Sequence, residues 1–108
     1  MRERGNARFV PTRSVTVAFE ARDKPRAYGV VANLSDGGAC LWTDASLEAG
    51  QRVSLAVSFA RESHPVPAEA RVVWTSPEKG SGGRRYGVQW DKEAPEARNL
   101  RRLISESA

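Results

Sequence analysis

Apolar and polar residues alternate along most of the first ninety positions of the chain. From Arg52 to Phe59 every second residue is apolar, and the same period returns in the segments that begin at Arg13, Val66 and Arg85. A period of two is typical of a β-strand with one buried face and one wet face. The alternation predicts six short strands, over residues 13–20, 27–35, 39–43, 51–60, 66–75 and 85–90.

The same pattern predicts which side chains face the core. We expect one inward residue at every second position of the clearest strands: Val15, Val17, Phe19, Val53, Leu55, Val57, Phe59, Ala68, Ala70, Val72, Trp74, Tyr86, Val88 and Trp90. Trp74 and Trp90 are thus predicted to be core residues, whereas the pattern leaves Trp42 open. Residues 76–84, rich in Gly and Ser, are predicted to form a flexible connector. Six strands with tight links predict a small antiparallel barrel or sandwich.

The C-terminal segment has a different period. Ala97, Leu100, Leu103 and Ile104 recur at helical spacing, and Pro95 stands near the start of the pattern. We therefore predict one amphipathic helix of about ten residues within residues 93–106, with Glu93 and Glu96 in its first turn. Its apolar stripe is expected to pack on the sheet, and its arginines are expected to face water.

Composition limits the classes of function. The 108 residues suffice for one domain, and no apolar run approaches the roughly 18 residues that span a membrane. The first residues lack the apolar stretch of a signal peptide, so we expect a cytoplasmic protein. Cys40 and His64 are the only cysteine and histidine, which leaves no disulfide and gives no support for a metal site or an enzyme.

Positive charge is concentrated at the start of the chain. The net charge is +4, and Arg2, Arg4, Arg8 and Arg13 are opposed within that segment only by Glu3. Gly5 and Pro11 disfavour a stable helix there, so residues 1–12 are predicted to form a flexible arm. Arginine makes planar, bidentate contacts with phosphates and base edges, which favours an anionic partner.

The stretch "NLSDGG", residues 33–38, allows two interpretations. Asn33 and Ser35 are two apart on a strand, so they project from one face while Leu34 points inward. Two short polar side chains beside Gly37 and Gly38 suit the edge of a flat polar ligand, because bare backbone permits close approach. The alternative is a turn in which Asn or Ser bonds its own backbone.

The arm and this stretch together resemble the PilZ domain family. Arg4 and Arg8 form Arg-x-x-x-Arg, and Asn33, Ser35 and Gly38 form Asn-x-Ser-x-x-Gly, in the order that the family uses. The segments "ARVVWT" and "RRYGVQW" also look like the last two strands of that family. The resemblance implies a six-stranded antiparallel β-barrel with one C-terminal helix in residues 13–108, preceded by the arm.

The resemblance also implies a ligand, the bacterial second messenger cyclic di-GMP. In the family, the positions of Arg4 and Arg8 hold its phosphates and guanines, those of Asn33 and Ser35 contact a guanine, and that of Gly38 packs closely against it. A single-domain member would be a non-enzymatic adaptor that changes conformation and signals to a protein partner, without a metal. Glu3 departs from the pattern and could repel a phosphate.

Two other functions stay open from the sequence. The first is a PilZ-like protein-interaction module that binds no nucleotide, which the two intact motifs disfavour. The second is a small basic barrel whose tryptophans stack single-stranded nucleic acid. The predicted inward positions of Trp74 and Trp90 disfavour the second.

Overall fold

The chain folds into a closed β-barrel that carries one helix. The computed structural model describes residues 10–11, 14–20, 27–80 and 83–107. Its elements are β1 (Thr16–Phe19), β2 (Ala27–Leu34), β3 (Gly38–Thr43), β4 (Arg52–Ser58), β5 (Val66–Gly80), β6 (Gly83–Trp90) and α1 (Ala97–Glu106). All neighbouring strands are antiparallel, in the order β1-β2-β3-β6-β5-β4, and β1 closes the barrel on β4. The predicted six-stranded barrel with a C-terminal helix is confirmed.

Strict alternation fills the barrel interior. In β4, Val53, Leu55 and Val57 are buried, while Arg52 is exposed and the intervening residues are half-buried. The buried residues of all six strands form one core, which Leu100, Leu103 and Ile104 of α1 join from outside the sheet. Because the barrel is closed, each of the six strands has a hydrogen-bonded neighbour on both sides.

The prediction of a flexible connector at residues 76–84 is wrong for residues 76–80 and 83–84, and residues 81–82 lie outside the described residues. β5 continues to Gly80 and β6 begins at Gly83, with Lys79 opposite Arg84 and Gly80 opposite Gly83. Gly83 has a φ of 95°, a left-handed conformation that glycine adopts without strain. The described residues of this segment are therefore paired strand, up to Gly80 and again from Gly83.

Trp74 does not point into the core, contrary to the prediction. The register of β5 against β6 shifts between Val72, opposite Val88, and Trp74, opposite Gly87. This bulge inserts one residue, Val73, and so reverses the faces of the residues that follow. Trp74 is 37% exposed, whereas Trp90 is 4% exposed and buried as predicted.

The helix begins later than the predicted segment. It starts at Ala97, so Glu93 and Glu96 precede its first turn, which carries no acidic residue. The Glu93 backbone N–H donates to Asp91 Oδ1 at 2.9 Å, which holds a turn there, and Pro95 disfavours helical geometry in the residue before it. Arg98, Arg101 and Arg102 are exposed, as expected.

Most of the predicted arm lies outside the described residues. Of residues 1–12 the structure describes only Val10, which is exposed, and Pro11, which is half-buried. The flexibility of the arm therefore stays a prediction. In the described part of the chain, no helix is long and apolar enough to cross a membrane.

Candidate functional site

The turn between β2 and β3 is held by hydrogen bonds of Ser35. The Ser35 N–H donates to the Gly38 carbonyl at 2.9 Å. The Ser35 hydroxyl donates to the same carbonyl and accepts from the Gly38 N–H, both at 3.2 Å. The side chain is buried. Ser35 therefore bonds its own turn, as the second interpretation of this stretch expected, and its hydroxyl keeps one unused lone pair.

Trp90 fastens the same turn to β6. Its indole Nε1 donates to the Ser35 carbonyl at 3.3 Å, and its backbone N–H donates to the Gly37 carbonyl at 2.9 Å. Trp90 and the turn thus share two hydrogen bonds, one from the indole and one from the backbone. This attachment fixes the position of the turn, and hence of any group that the turn presents.

Gly38 is required by the sheet itself. It pairs with Gln89 of β6, and a side-chain carbon at this position would collide with the backbone carbonyl of Val88. Backbone atoms of a paired strand cannot move aside as a flexible side chain can. The sequence predicts that Gly38 allows the close approach of a ligand. In the structure, the group that lies close to Gly38 is the backbone of β6.

Asn33 occupies the outer face of the barrel. A register shift between Val31 and Asn33 places Asn33 opposite Cys40 and Leu34 opposite Ala39. Leu34 and Ala39 are fully buried and point inward, so Asn33 points outward and is half-buried. The structure thus keeps the predicted orientations of Leu34 and Asn33 and separates the roles of Asn33 and Ser35.

Four outward-facing positions are cross-strand neighbours on the outer face of the barrel, beginning at Asn33. Asn33 is opposite Cys40, Cys40 is opposite Gly87, and Gly87 is opposite Trp74. A side-chain carbon at Gly87 would collide with the Trp74 indole, so the ring lies over this glycine. Because neighbouring strands are about 4.8 Å apart, the indole comes within about two strands of Asn33. We call these four residues the Asn33 row.

Trp74 is the functional candidate that sequence reasoning missed. Its exposure follows from the bulge at Val73, which the alternation of apolar residues conceals because Val73 and Trp74 are both apolar. The available signal was Gly87, since a glycine inside a strand often marks the close approach of another group. Here that group is an indole.

The neighbouring outward row is basic. Gly38 is opposite Gln89, Gln89 is opposite Arg71, and Arg71 is opposite Arg52. Arg52 Nη2 lies 3.0 Å from Asp91 Oδ2, and Arg71 Nη1 donates to the Gly50 carbonyl at 3.2 Å. Two arginines side by side give this end of the outer face a positive potential, which Asp91 only partly offsets.

Arg4 and Arg8 lie outside the described residues. Among the residues that are described, no group of three His, Cys, Asp or Glu side chains could hold a metal ion. His64 is exposed in the loop between β4 and β5, whereas Cys40 is buried in β3.

Comparisons with known proteins agree with this architecture. The family model described as PilZ domain matches residues 2–106. A solved structure described as the PilZ domain with c-di-GMP of YcgR from Escherichia coli is 18% identical, with a TM-score of 0.74, over 98% of this chain and 92% of that one. A search of curated proteins found no match.

Two longer structures are also similar. YcgR in complex with c-di-GMP from Escherichia coli is 16% identical with a TM-score of 0.71, over 97% of this chain and 44% of that one. The Bacillus subtilis inhibitor of motility, MotI/DgrA, is 17% identical with a TM-score of 0.70, over 99% of this chain and 50% of that one. At these identities the likeness shows a shared fold, and this chain spans about half of either protein.

Proposed function

Because the chain belongs to the PilZ domain family, we propose that it binds cyclic di-GMP on the outer face of the barrel, between the N-terminal arm and the β2–β3 turn. The observation that carries this proposal is the Asn33 row, which puts an outward amide at one end and an exposed indole at the other. A cyclic dinucleotide offers base edges, flat base faces and two phosphates. Each of these has a matching group here.

The two motifs contact different parts of the ligand. Arg4 and Arg8 carry the positive charge, and their guanidinium groups bind phosphate and guanine oxygens. The Asn33 amide carries both kinds of hydrogen-bonding group, donor and acceptor, that a guanine edge pairs with. Ser35 contributes through its remaining lone pair and through the turn that its hydroxyl holds, and Gly38 keeps that turn against β6.

Trp74 adds a flat wall to the site. Its indole lies over Gly87 on the row that starts at Asn33, and 37% of its surface is exposed. Stacking of a base on an aromatic ring is worth about 1–3 kcal/mol. The adjacent basic row through Arg71 and Arg52 attracts the phosphates over a longer range.

We infer that the protein acts as an adaptor. A cytoplasmic receptor of this kind performs no reaction. Residues 1–12 form the arm, and residues 13–108 form the barrel and helix. Ligand binding orders the arm on the barrel and creates a surface for a protein partner. Since ordering each backbone residue costs about 1–2 kcal/mol, several arginine contacts are needed and affinity is moderate.

Calorimetric titration tests the proposal. The wild-type protein should bind cyclic di-GMP and neither GTP nor a short single-stranded oligonucleotide. Arg8→Ala should weaken binding about tenfold or more, because a hydrogen bond to a charged group contributes about 1.5–3 kcal/mol. Arg101→Ala, which removes an exposed arginine of α1, is the matched control and should bind like wild type. Equal affinity for wild type and Arg8→Ala would remove the arm from the site.

Single-stranded nucleic acid is the second candidate ligand. The observation in its favour is the exposure of Trp42 and Trp74, where the sequence had predicted a buried Trp74. Exposed indoles on a basic barrel suit the stacking of successive bases. Tight binding of the oligonucleotide in the same titration, with no binding of cyclic di-GMP, would establish it.

A further inference from the structure

A second exposed apolar surface lies beside the Asn33 row. Tyr28 is 67% exposed, Val30 is 50% exposed and Trp42 is 38% exposed. Val30 is directly opposite Trp42 on the outer face, and Tyr28 is the next outward residue of β2. We call these three residues the Trp42 patch. Contiguous exposed aromatic and aliphatic side chains on a soluble domain mark an interaction site.

The charged groups at the borders of the patch have opposite signs. Arg85 of β6 is the cross-strand neighbour of Trp42, and its guanidinium lies over the indole, 5.5 Å from the ring centroid. Asp44, two residues after Trp42, lines the groove that Tyr28 and Val30 also line. The apolar centre therefore lies between a cationic border and an anionic border.

The position of Arg85 determines what the patch can accept. A guanidinium over the indole takes the ring face on which a base would stack, which disfavours nucleic acid. Stacking leaves the N–H groups at the edge of the guanidinium directed outward, where a carboxylate can accept two of them. A protein segment with a carboxylate beside an apolar anchor fits this arrangement better than a nucleotide does.

We propose that the Trp42 patch docks a short segment of the protein partner, with an apolar anchor between an acidic residue that pairs with Arg85 and a basic residue that pairs with Asp44. The surface of the three apolar side chains in the patch is much smaller than the roughly 800 Å² that each partner buries in a stable complex. Its size suits a short, reversible contact rather than a permanent subunit interface.

The proposal rests on the adaptor role proposed above and gives that role a location. Trp42 and Cys40 are outward neighbours on β3, so the patch adjoins the Asn33 row. A nucleotide on that row would lie beside a segment docked on the patch. One partner could then contact the protein and its ligand together.

Peptide display on the full chain tests this inference. Short random peptides are selected on the wild-type protein saturated with cyclic di-GMP and counter-selected on Trp42→Ala. We expect enriched sequences with an aromatic or aliphatic residue between acidic and basic residues. A synthetic peptide with the enriched sequence should bind Trp42→Ala about tenfold more weakly, as expected for an interface tryptophan. Tyr28→Ala is a second variant with the same expected direction.

Charge reversal at Arg85 tests the predicted pairing with the acidic residue of the peptide most specifically. Arg85→Glu should lose the selected peptide and regain binding when the acidic residue of the peptide is changed to lysine. Trp74→Ala is the matched tryptophan control. In titrations without nucleotide it should bind the peptide like the wild-type protein does under the same conditions, and in separate titrations it should lose affinity for cyclic di-GMP. Trp42→Ala should lose the peptide in the first titration and keep cyclic di-GMP in the second. A protein that binds the peptide but no cyclic di-GMP would refute the nucleotide proposal and leave the docking surface standing.

Four results would overturn the docking proposal. They are enrichment that does not depend on Trp42, an enriched sequence without an acidic residue, oligonucleotide binding that Trp42→Ala removes, and self-association in sedimentation that Trp42→Ala removes. The last two would assign the patch to a nucleic acid or to a second copy of the chain.

Discussion

Trp90 and Trp74 belong to adjacent strands and follow the same apolar alternation, yet they end on opposite faces of the barrel wall. Trp90 is buried, and its indole N–H donates to the Ser35 carbonyl. Trp74 comes after a bulge and lies outside, on Gly87. One inserted residue thus turned a core position into a surface position. The Trp90 indole stabilises the turn from inside the barrel wall, whereas the Trp74 indole outside the wall is available to a ligand.

The largest contrast is expected in stability. Trp90→Ala should lower the free energy of unfolding by about 3–5 kcal/mol, because it leaves a cavity in the core and removes the bond to Ser35. Trp74→Ala should cost clearly less, about 1–2 kcal/mol, because more than a third of this residue is already exposed. Urea unfolding of both variants measures the difference. Similar losses for the two variants would contradict the assignment of Trp74 to the surface.

The second effect concerns the contact between the turn and β6. Gly38→Ala should destabilise the protein by about 1–3 kcal/mol, because the added methyl group overlaps a backbone carbonyl that is held in the sheet. Gly50→Ala is the control, since its site has open space and only its φ of 89° is unfavourable. The thermal midpoint should fall further for Gly38→Ala. If the two midpoints fall equally, the collision with Val88 is not the cause.

The third effect separates Ser35 from Asn33. Ser35→Ala should cost about 1–2 kcal/mol of stability, because the buried Gly38 N–H loses its side-chain acceptor. Asn33→Ala should leave the thermal midpoint within a few degrees and weaken cyclic di-GMP binding. Thermal unfolding and calorimetry on both variants test this difference. An Asn33→Ala variant that is less stable than Ser35→Ala would reverse the two roles.

The smallest effect on stability is expected at Gly87. Gly87→Ala forces the Trp74 indole off its position, but an exposed ring can rotate away at little cost, so unfolding should change by about 0.5 kcal/mol. Affinity for cyclic di-GMP should fall because the flat wall moves. Tryptophan fluorescence, measured against Trp74→Ala, reports the displacement. Unchanged emission and unchanged affinity together would show that Gly87 does not position the ring.

The sequence predicted the barrel because apolar and polar residues alternate in a strand that has one buried face and one face in water. This alternation predicted the inward residues correctly where strands are regular, as in β4, where every predicted inward residue is buried. It failed at Trp74 because a bulge leaves no mark when the residues on both sides of the shift are apolar. It also failed at residues 76–80 and 83–84, whose glycines and serine suggested a flexible connector but which belong to two paired strands.

The sequence predicted which residues belong to the β2–β3 turn of the candidate site, but not which of them hold the turn and which face outward. The spacing of Asn33, Ser35 and Gly38 identified the turn, yet only the register and the hydrogen bonds show that Ser35 and Gly38 hold it while Asn33 faces out. Trp74 enters the site through pairing with Gly87, a long-range contact that no local pattern encodes. The contributions of Arg4 and Arg8 stay predictions.

The central claim is that cyclic di-GMP binds across the Asn33 row, and a nitrogen–proton NMR titration tests it most directly. The chain has three tryptophans, so their three indole N–H signals act as internal probes of the core, the Trp42 patch and the row. We predict that the Trp74 indole and the Asn33 side-chain amide shift most and follow one saturation curve, while the Trp90 and Trp42 indoles move little. Absence of any shift, or shifts confined to the Trp42 indole, would contradict the account.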